Sequence, residues 1–178
     1  MGIGETRGTA RRGAVALAAA AVFALTGCAR DGDGPTAPAA SGFSEGGVAV
    51  TVRVDSGDGA LRVVADLRPE RAGFHLYSLA LPDGGIDGIG IPTRIRVEGA
   101  LRSAGPATTD AEERGLTPEG LGVRLPVYRD GQVTLRIPVR RVEGVRDARV
   151  FLTYGACSET EGCLVPVRDR QVTVPLTG

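Results

Sequence analysis

The stretch Val48-Ala49-Val50-Thr51-Val52-Arg53-Val54-Asp55-Ser56-Gly57-Asp58-Gly59-Ala60-Leu61-Arg62-Val63-Val64-Ala65-Asp66-Leu67 decides the fold class. Val48, Val50, Val52 and Val54 recur with a period of two, and so do Leu61, Val63, Ala65 and Leu67. Successive side chains of a strand point to opposite faces, so this period marks strands with one buried face. Between the two runs, Asp55 to Gly59 is Gly and Asp with one Ser, residues that tolerate the angles of a tight turn, so the pair reads as a hairpin.

Outward from this hairpin the same alternation returns in Val133, Leu135, Ile137 and Val139. Further extended segments are expected at Phe74 to Leu81, Ile91 to Val97, Val123 to Tyr128, Arg149 to Tyr154 and Gln171 to Leu176, separated by Gly, Pro and Asp clusters. About eight short strands of this kind imply an all-β, immunoglobulin-like β-sandwich. Arg129-Asp130-Gly131 reads as a second hairpin turn, and Asp110 to Arg114 as the one helical turn. The glycine-rich segment Gly84 to Gly90 lacks the Lys-Ser/Thr ending and the following helix of a phosphate cradle, and reads as a loop and nothing more.

The start of the chain has a different character. Arg7, Arg11 and Arg12 precede an uncharged apolar run from Ala14 to Leu25, and then comes Leu25-Thr26-Gly27-Cys28. These are the regions of a secretory signal, and the run is shorter than the roughly 20 residues of a membrane-spanning helix. The small pair before Cys28 resembles the bacterial lipobox, whose cysteine is diacylated and becomes the new N-terminus. Residues 1–27 are therefore expected to be a lipoprotein signal peptide, Cys28 the lipidation site, 28–43 a flexible tether, and 44–178 one folded domain. Such a protein is exported and held by its lipid at the outer face of the cytoplasmic membrane, where a tether raises its effective concentration near membrane partners. The 21 basic residues, all Arg, balance 21 acidic ones, so no basic face is expected and nucleic acid is not an expected partner.

Beyond Cys28 the chain has two cysteines, in Tyr154-Gly155-Ala156-Cys157-Ser158-Glu159-Thr160-Glu161-Gly162-Cys163. Four readings of Cys157 and Cys163 compete: a structural staple, metal ligands, a hydrolytic nucleophile, and a pair that cycles between dithiol and disulfide. A loop this short constrains the unfolded chain by only about 2.4 kcal/mol, against nearly 5 for a long loop. A structural zinc wants four ligands, and the domain has these two cysteines and one histidine, His75. Soft Cu(I) accepts two thiolates, so copper handling through Cys157, Cys163 and His75 stays as a third option, although no metal and no cofactor is expected. A cysteine hydrolase needs a base and an orienting residue, for which one histidine is thin support. Glu159 and Glu161 flank the pair, and either raise a nearby thiol pKa by repulsion or are simply solvated.

Arg149 to Pro166 followed by Gln171 to Leu176 resembles the last strands of the N-terminal domain of the thiol:disulfide interchange protein DsbD, where a tyrosine precedes a cysteine pair of this spacing. Ala72-Gly73-Phe74-His75-Leu76-Tyr77 is similar to that family's glycine, aromatic and tyrosine strand, and Val127-Tyr128-Arg129-Asp130 with Val133 to Val139 to its following hairpin. The resemblance covers most of Gly47 to Leu176. It implies an immunoglobulin-like domain that exchanges disulfides outside the cytoplasmic membrane, a thiol:disulfide oxidoreductase of the protein-disulfide reductase type.

By the resemblance, a membrane-embedded carrier of the DsbD or CcdA type, or a thioredoxin-like protein, reduces the Cys157/Cys163 disulfide. The dithiol then reduces exported client proteins, in a setting such as cytochrome c biogenesis. Cys163 bonds to partners and Cys157 resolves the mixed disulfide. By analogy His75, Tyr77 and Tyr154 are placed near the pair, with Leu121 of the Thr117 to Gly122 loop standing where the family caps its cysteines with phenylalanine; the competing readings are a surface strand side chain for His75 and core aromatics for Tyr77 and Tyr154. Ala156 replaces a usual glycine, and Leu164-Val165-Pro166 replaces a tyrosine and paired prolines. DsbD continues into membrane helices and a thioredoxin domain, so the electron source is expected in a separate protein. The reading from a different class is a noncatalytic immunoglobulin-like binding lipoprotein whose disulfide is structural.

Overall fold

The computed structural model describes residues 40–174 and Leu176. The expected signal peptide, Cys28 with its lipid, and the tether as far as residue 39 lie outside the described residues. Fourteen strands follow in order: β1 (Ala40–Glu45), β2 (Val48–Asp55), β3 (Arg62–Pro69), β4 (His75–Leu76), β5 (Arg94–Gly99), β6 (Leu101–Ser103), β7 (Thr108–Thr109), β8 (Glu113–Leu116), β9 (Leu125–Tyr128), β10 (Val133–Arg141), β11 (Ala148–Tyr154), β12 (Ala156–Ser158), β13 (Gly162–Cys163) and β14 (Val167–Val174). The first strand starts at Ala40 and pairs with β2 from Ala40↔Arg53 to Glu45↔Val48, so the sheet begins inside the segment read as tether.

One sheet runs β1-β2-β3-β10-β6, with β7 also on β10, and a second runs β14-β11-β5. The opening hairpin forms as its pattern requires, with Val50 opposite Leu67 and Val54 opposite Val63. Val48, Val50, Val52, Val63, Ala65, Leu67, Val133, Leu135 and Ile137 pack in one core with Ile95, Val97, Val150, Leu152 and Tyr154. Burial of each such side chain stabilises the fold by about 1.5–3 kcal/mol before entropy is counted. Two smaller ladders, β13-β12-β4 and β8-β9, are joined by an antiparallel bridge between Tyr77 and Val127. The first of these carries the cysteines.

Four local expectations differ from the structure. Asp110 to Arg114 is not helical: β7 ends at Thr109, whose hydroxyl accepts from Ala111 N, and Glu113 already pairs with Tyr128 in β8-β9. Arg129-Asp130-Gly131 is not a hairpin turn, because β9 pairs with β8 while β10 pairs with β3, so these residues carry the chain from one sheet to another. Phe74 to Leu81 keeps strand geometry only at His75–Leu76 and the Tyr77 bridge. Its end is drawn into a turn by Ser78, whose hydroxyl accepts from Ala80 N at 2.9 Å. The expected strand from Ile91 begins only at Arg94, since Pro92 has no N–H to give a ladder.

Candidate functional site

Cys157 and Cys163 face each other across the β12-β13 hairpin, and Ser158 faces Gly162, which leaves Glu159, Thr160 and Glu161 at its tip. Leu164 N donates to Ala156 O at 2.9 Å, so the neighbouring pair holds the ladder hydrogen bond and the cysteines occupy the close, non-hydrogen-bonded position. Their sulfurs are joined in a disulfide, with the Cα atoms 4.0 Å apart. The two ends differ in environment. Cys157 is 6 % exposed, whereas Cys163 lies at the surface, followed two residues later by Val165 at 82 % exposure.

Cys157 packs with Tyr77, Leu81, Leu116, Leu125 and Val127, and Ile86, Ile89 and Val123 close over the same cluster. The Tyr77 hydroxyl lies 3.2 Å from Cys157 Sγ and 4.0 Å from Cys163 Sγ. Burial pushes the Tyr77 phenol above its ordinary value of 10, so near neutral pH it keeps its proton and is a hydrogen-bond donor to sulfur. Gly90 and Gly155 approach the ring: a Cβ on Gly90 would stand 3.0 Å from Tyr77 Cε1, and one on Gly155 would stand 3.6 Å from Cδ2. Thr93 Oγ1 donates to the Tyr77 carbonyl at 2.5 Å, which holds the backbone beneath.

His75 lies opposite Cys157 in the β4-β12 ladder and is 1 % exposed. Its ring meets that of Tyr77 edge-on, with centroids 6.2 Å apart. Both ring nitrogens are buried without a hydrogen-bond partner. An unpartnered buried polar group costs about 1–3 kcal/mol, so a core packing role alone does not account for a histidine here. Burial first, and then repulsion from Arg114, hold the imidazole below its ordinary pKa, against the pull of Asp130 and Glu159. The neutral form is favoured.

The carboxylates of the cysteine loop are paired. Glu159 accepts from Arg114 at 3.0 Å, and Glu161 from Arg71 at 3.4 Å. Both pairs are more than a third exposed at the carboxylate, so each contributes little to stability, but each brings a counter-charge to the loop. Repulsion of a thiolate by Glu159 and Glu161 is accordingly offset in part.

Two expected neighbours of the disulfide lie elsewhere. Tyr154 belongs to the main core, and its hydroxyl donates to Glu45 O at 3.0 Å, anchoring the β1-β2 turn; burial and Glu45 push its phenol pKa upward. Leu121 is 48 % exposed on a turn closed by Leu121 N donating to Pro118 O, and the apolar shield over Cys157 comes instead from Leu116, Val123 and the segment 82–90. That segment does more than connect. Ile86 and Ile89 exchange two hydrogen bonds, 3.0 and 2.9 Å, across a turn in which Asp87 and Gly88 both have positive φ. Asp-Gly between two apolar residues is the signal for this turn, and it is present in the sequence. Among the described residues no group of three or more His, Cys, Asp or Glu is placed to hold a metal ion.

Neither a protein-family model nor a curated protein matches the chain. Among solved structures, the N-terminal periplasmic domain of ScsB from Proteus mirabilis is similar over 78 % of this chain, with a TM-score of 0.52 and 14 % identity. This chain shares its fold. The match spans about half, 51 %, of the ScsB domain's own length. The N-terminal domain of DsbD from Neisseria meningitidis, in its reduced form, is similar over 74 % of this chain and 86 % of that one, at 19 % identity and a TM-score of 0.45. The all-β sandwich expected from the sequence is the fold observed.

Proposed function

We propose that this protein is an extracytoplasmic thiol:disulfide exchange domain that works through Cys157 and Cys163. The observation that carries this reading is the asymmetry of the pair: Cys163 is exposed, while Cys157 is buried under an apolar shield with a phenol hydroxyl at its sulfur. Exchange needs one sulfur that a partner can reach and a second that is protected until a mixed disulfide forms. Cys163 is the partner-bonding cysteine and Cys157 the resolving one. A staple has no need of this division.

A membrane-embedded carrier or a thioredoxin-like protein supplies the electrons, and exported disulfide-containing proteins receive them. The signal at residues 1–27 and lipidation at Cys28 would hold the domain at the outer face of the cytoplasmic membrane, with residues 28–39 as tether. The ScsB likeness supports the extracytoplasmic location, since that domain is periplasmic.

The test is a pair of variants in the cell envelope of the producing organism, followed by non-reducing separation. Cys157→Ala should accumulate mixed disulfides through Cys163, and Cys163→Ala should not. Equal trapping by both, or none by either, together with a disulfide potential well below about −300 mV, would leave a structural disulfide in a binding domain.

A further inference from the structure

We propose that His75 is the proton acceptor of the resolving step: its buried imidazole takes the thiol proton of Cys157 as Cys157 displaces a partner from Cys163. The inference rests on the exchange reading above and adds a residue to it. His75 and Cys157 are opposite one another in the β4-β12 ladder. Directly opposed residues project from the same face with Cβ atoms about 4.5–5.5 Å apart, which puts the two side chains on one face, although neither ring nitrogen hydrogen-bonds a sulfur in the disulfide state. Tyr77, two residues on and on that same face, meets His75 edge-on and Cys157 Sγ through its hydroxyl.

In the disulfide state neither His75 nitrogen has a partner. A neutral imidazole has one donor and one acceptor nitrogen, and a disulfide sulfur carries no proton to give. Reduction changes this, because Cys157 then carries an S–H next to a buried acceptor. The site is thus unsatisfied in one redox state and supplied with a donor in the other. The charged groups acting on the ring are Arg114 of β8, Asp130 after β9 and Glu159 of the cysteine loop; Tyr77 beside it is uncharged. Burial and Arg114 keep the ring in its neutral form at pH 7, and the neutral form is the base.

The step balances as follows. With the partner attached to Cys163 through a disulfide, the Cys157 proton moves to His75 and the freed thiolate attacks Cys163 Sγ. The Cys157–Cys163 bond forms and the bond from Cys163 to the partner's sulfur breaks. The partner's sulfur leaves as a thiolate and takes a proton from the imidazolium or from water. Over the whole cycle two electrons pass from the dithiol to the partner's disulfide.

The test uses the reduced full chain carrying Cys28→Ser, mixed with less than one equivalent of the chromogenic aromatic disulfide dithionitrobenzoate. Attack by Cys163 releases a first aromatic thiolate, and resolution by Cys157 releases the second. A thiol of ordinary pKa near 8.5 is only about 3 % thiolate at pH 7, so a base gains at most about 30-fold there, and more where burial lifts the thiol pKa. His75→Phe should slow the second release about 10- to 30-fold at pH 7 and leave the first unchanged, with the difference falling below about twofold near pH 10, where thiolate forms unaided. His75→Asn, polar but not basic, should behave alike if the phenylalanine disturbs folding. The unsubstituted pair should itself lose second-phase rate as pH falls through the His75 pKa, below 6.5. A second phase with the same rate and pH profile in the variants, or an unsubstituted profile without that inflection, overturns the role of His75 alone. Absence of any second phase in the unsubstituted pair overturns the exchange reading as well.

Discussion

Removing one oxygen atom, by Tyr77→Phe, isolates the contribution of the hydroxyl to the redox poise of the pair. The hydroxyl lies 3.2 Å from Cys157 Sγ, and the ring is 5 % exposed, so water does not replace the lost donor. A disulfide sulfur is a weak acceptor, and the deletion should change the stability of the oxidised protein by no more than about 0.5 kcal/mol. A thiol or thiolate at Cys157 accepts more strongly, and the reduced protein should lose about 1 kcal/mol. The difference between these two losses appears in the potential, where about 1.4 kcal/mol corresponds to 30 mV for a two-electron couple. The variant's disulfide should therefore be more reducing by about 10–20 mV. Equilibration with glutathione buffers and alkylation of free thiols measures the potential, and urea unfolding of both forms closes the cycle independently. An unchanged or higher potential would refute the idea that the hydroxyl favours the reduced sulfur.

Four further outcomes follow from the packing and the charges. Gly90→Ala should lose about 2–4 kcal/mol in urea unfolding, since φ is +90° and the new Cβ would stand 2.8 Å from Leu81 Cδ2 and 3.0 Å from Tyr77 Cε1. Leu152→Ala, at a fully buried site between β5 and β14, should cost about 2–5 kcal/mol. Leu121→Ser should leave stability within about 0.5 kcal/mol and leave the alkylation rate of reduced Cys163 unchanged, because Leu121 is not part of the shield. Asp66 is held below its ordinary pKa: burial acts to raise it, but hydrogen bonds from Thr134 and Arg53 and the charges of Arg53 and Arg136 prevail. Its contribution is then complete above the unfolded pKa of about 3.9 and is lost as pH falls through the lower folded value. Asp66→Asn should flatten the acid limb of a stability-against-pH curve, and a limb of unchanged slope would remove Asp66 from that role.

The sandwich and most of its long strands could be read from residues in a row. Val48 to Leu67, Val133 to Val139 and Arg149 to Tyr154 each bury alternate side chains in one core, and a period of two needs no knowledge of the partner strand. The closeness of Cys157 to Cys163 was likewise local, because five residues between them suit a tight hairpin. Their placement with His75 and Tyr77 was read by resemblance; in the structure His75 lies opposite Cys157 in the β4-β12 register and the Tyr77 hydroxyl lies 3.2 Å from Cys157 Sγ. What could not be read locally was pairing between distant segments. The 129–131 turn looks like a hairpin, yet it passes between sheets because β9 finds β8 and β10 finds β3. The Asp87-Gly88 turn carries its own signal, but only the fold decides that Ile86 and Ile89 close over Cys157 while Leu121 stays outside. Tyr154 is three residues from Cys157 and still points into the main core, since neighbours on a strand alternate in face. Thus the sequence determined most of the long strands, the opening hairpin and which two cysteines lie close together, all set by local geometry and side-chain chemistry. Tertiary structure alone decided which sulfur is buried, what shields it, and that a histidine without partners lies opposite it, because each depends on contacts between segments far apart in the chain.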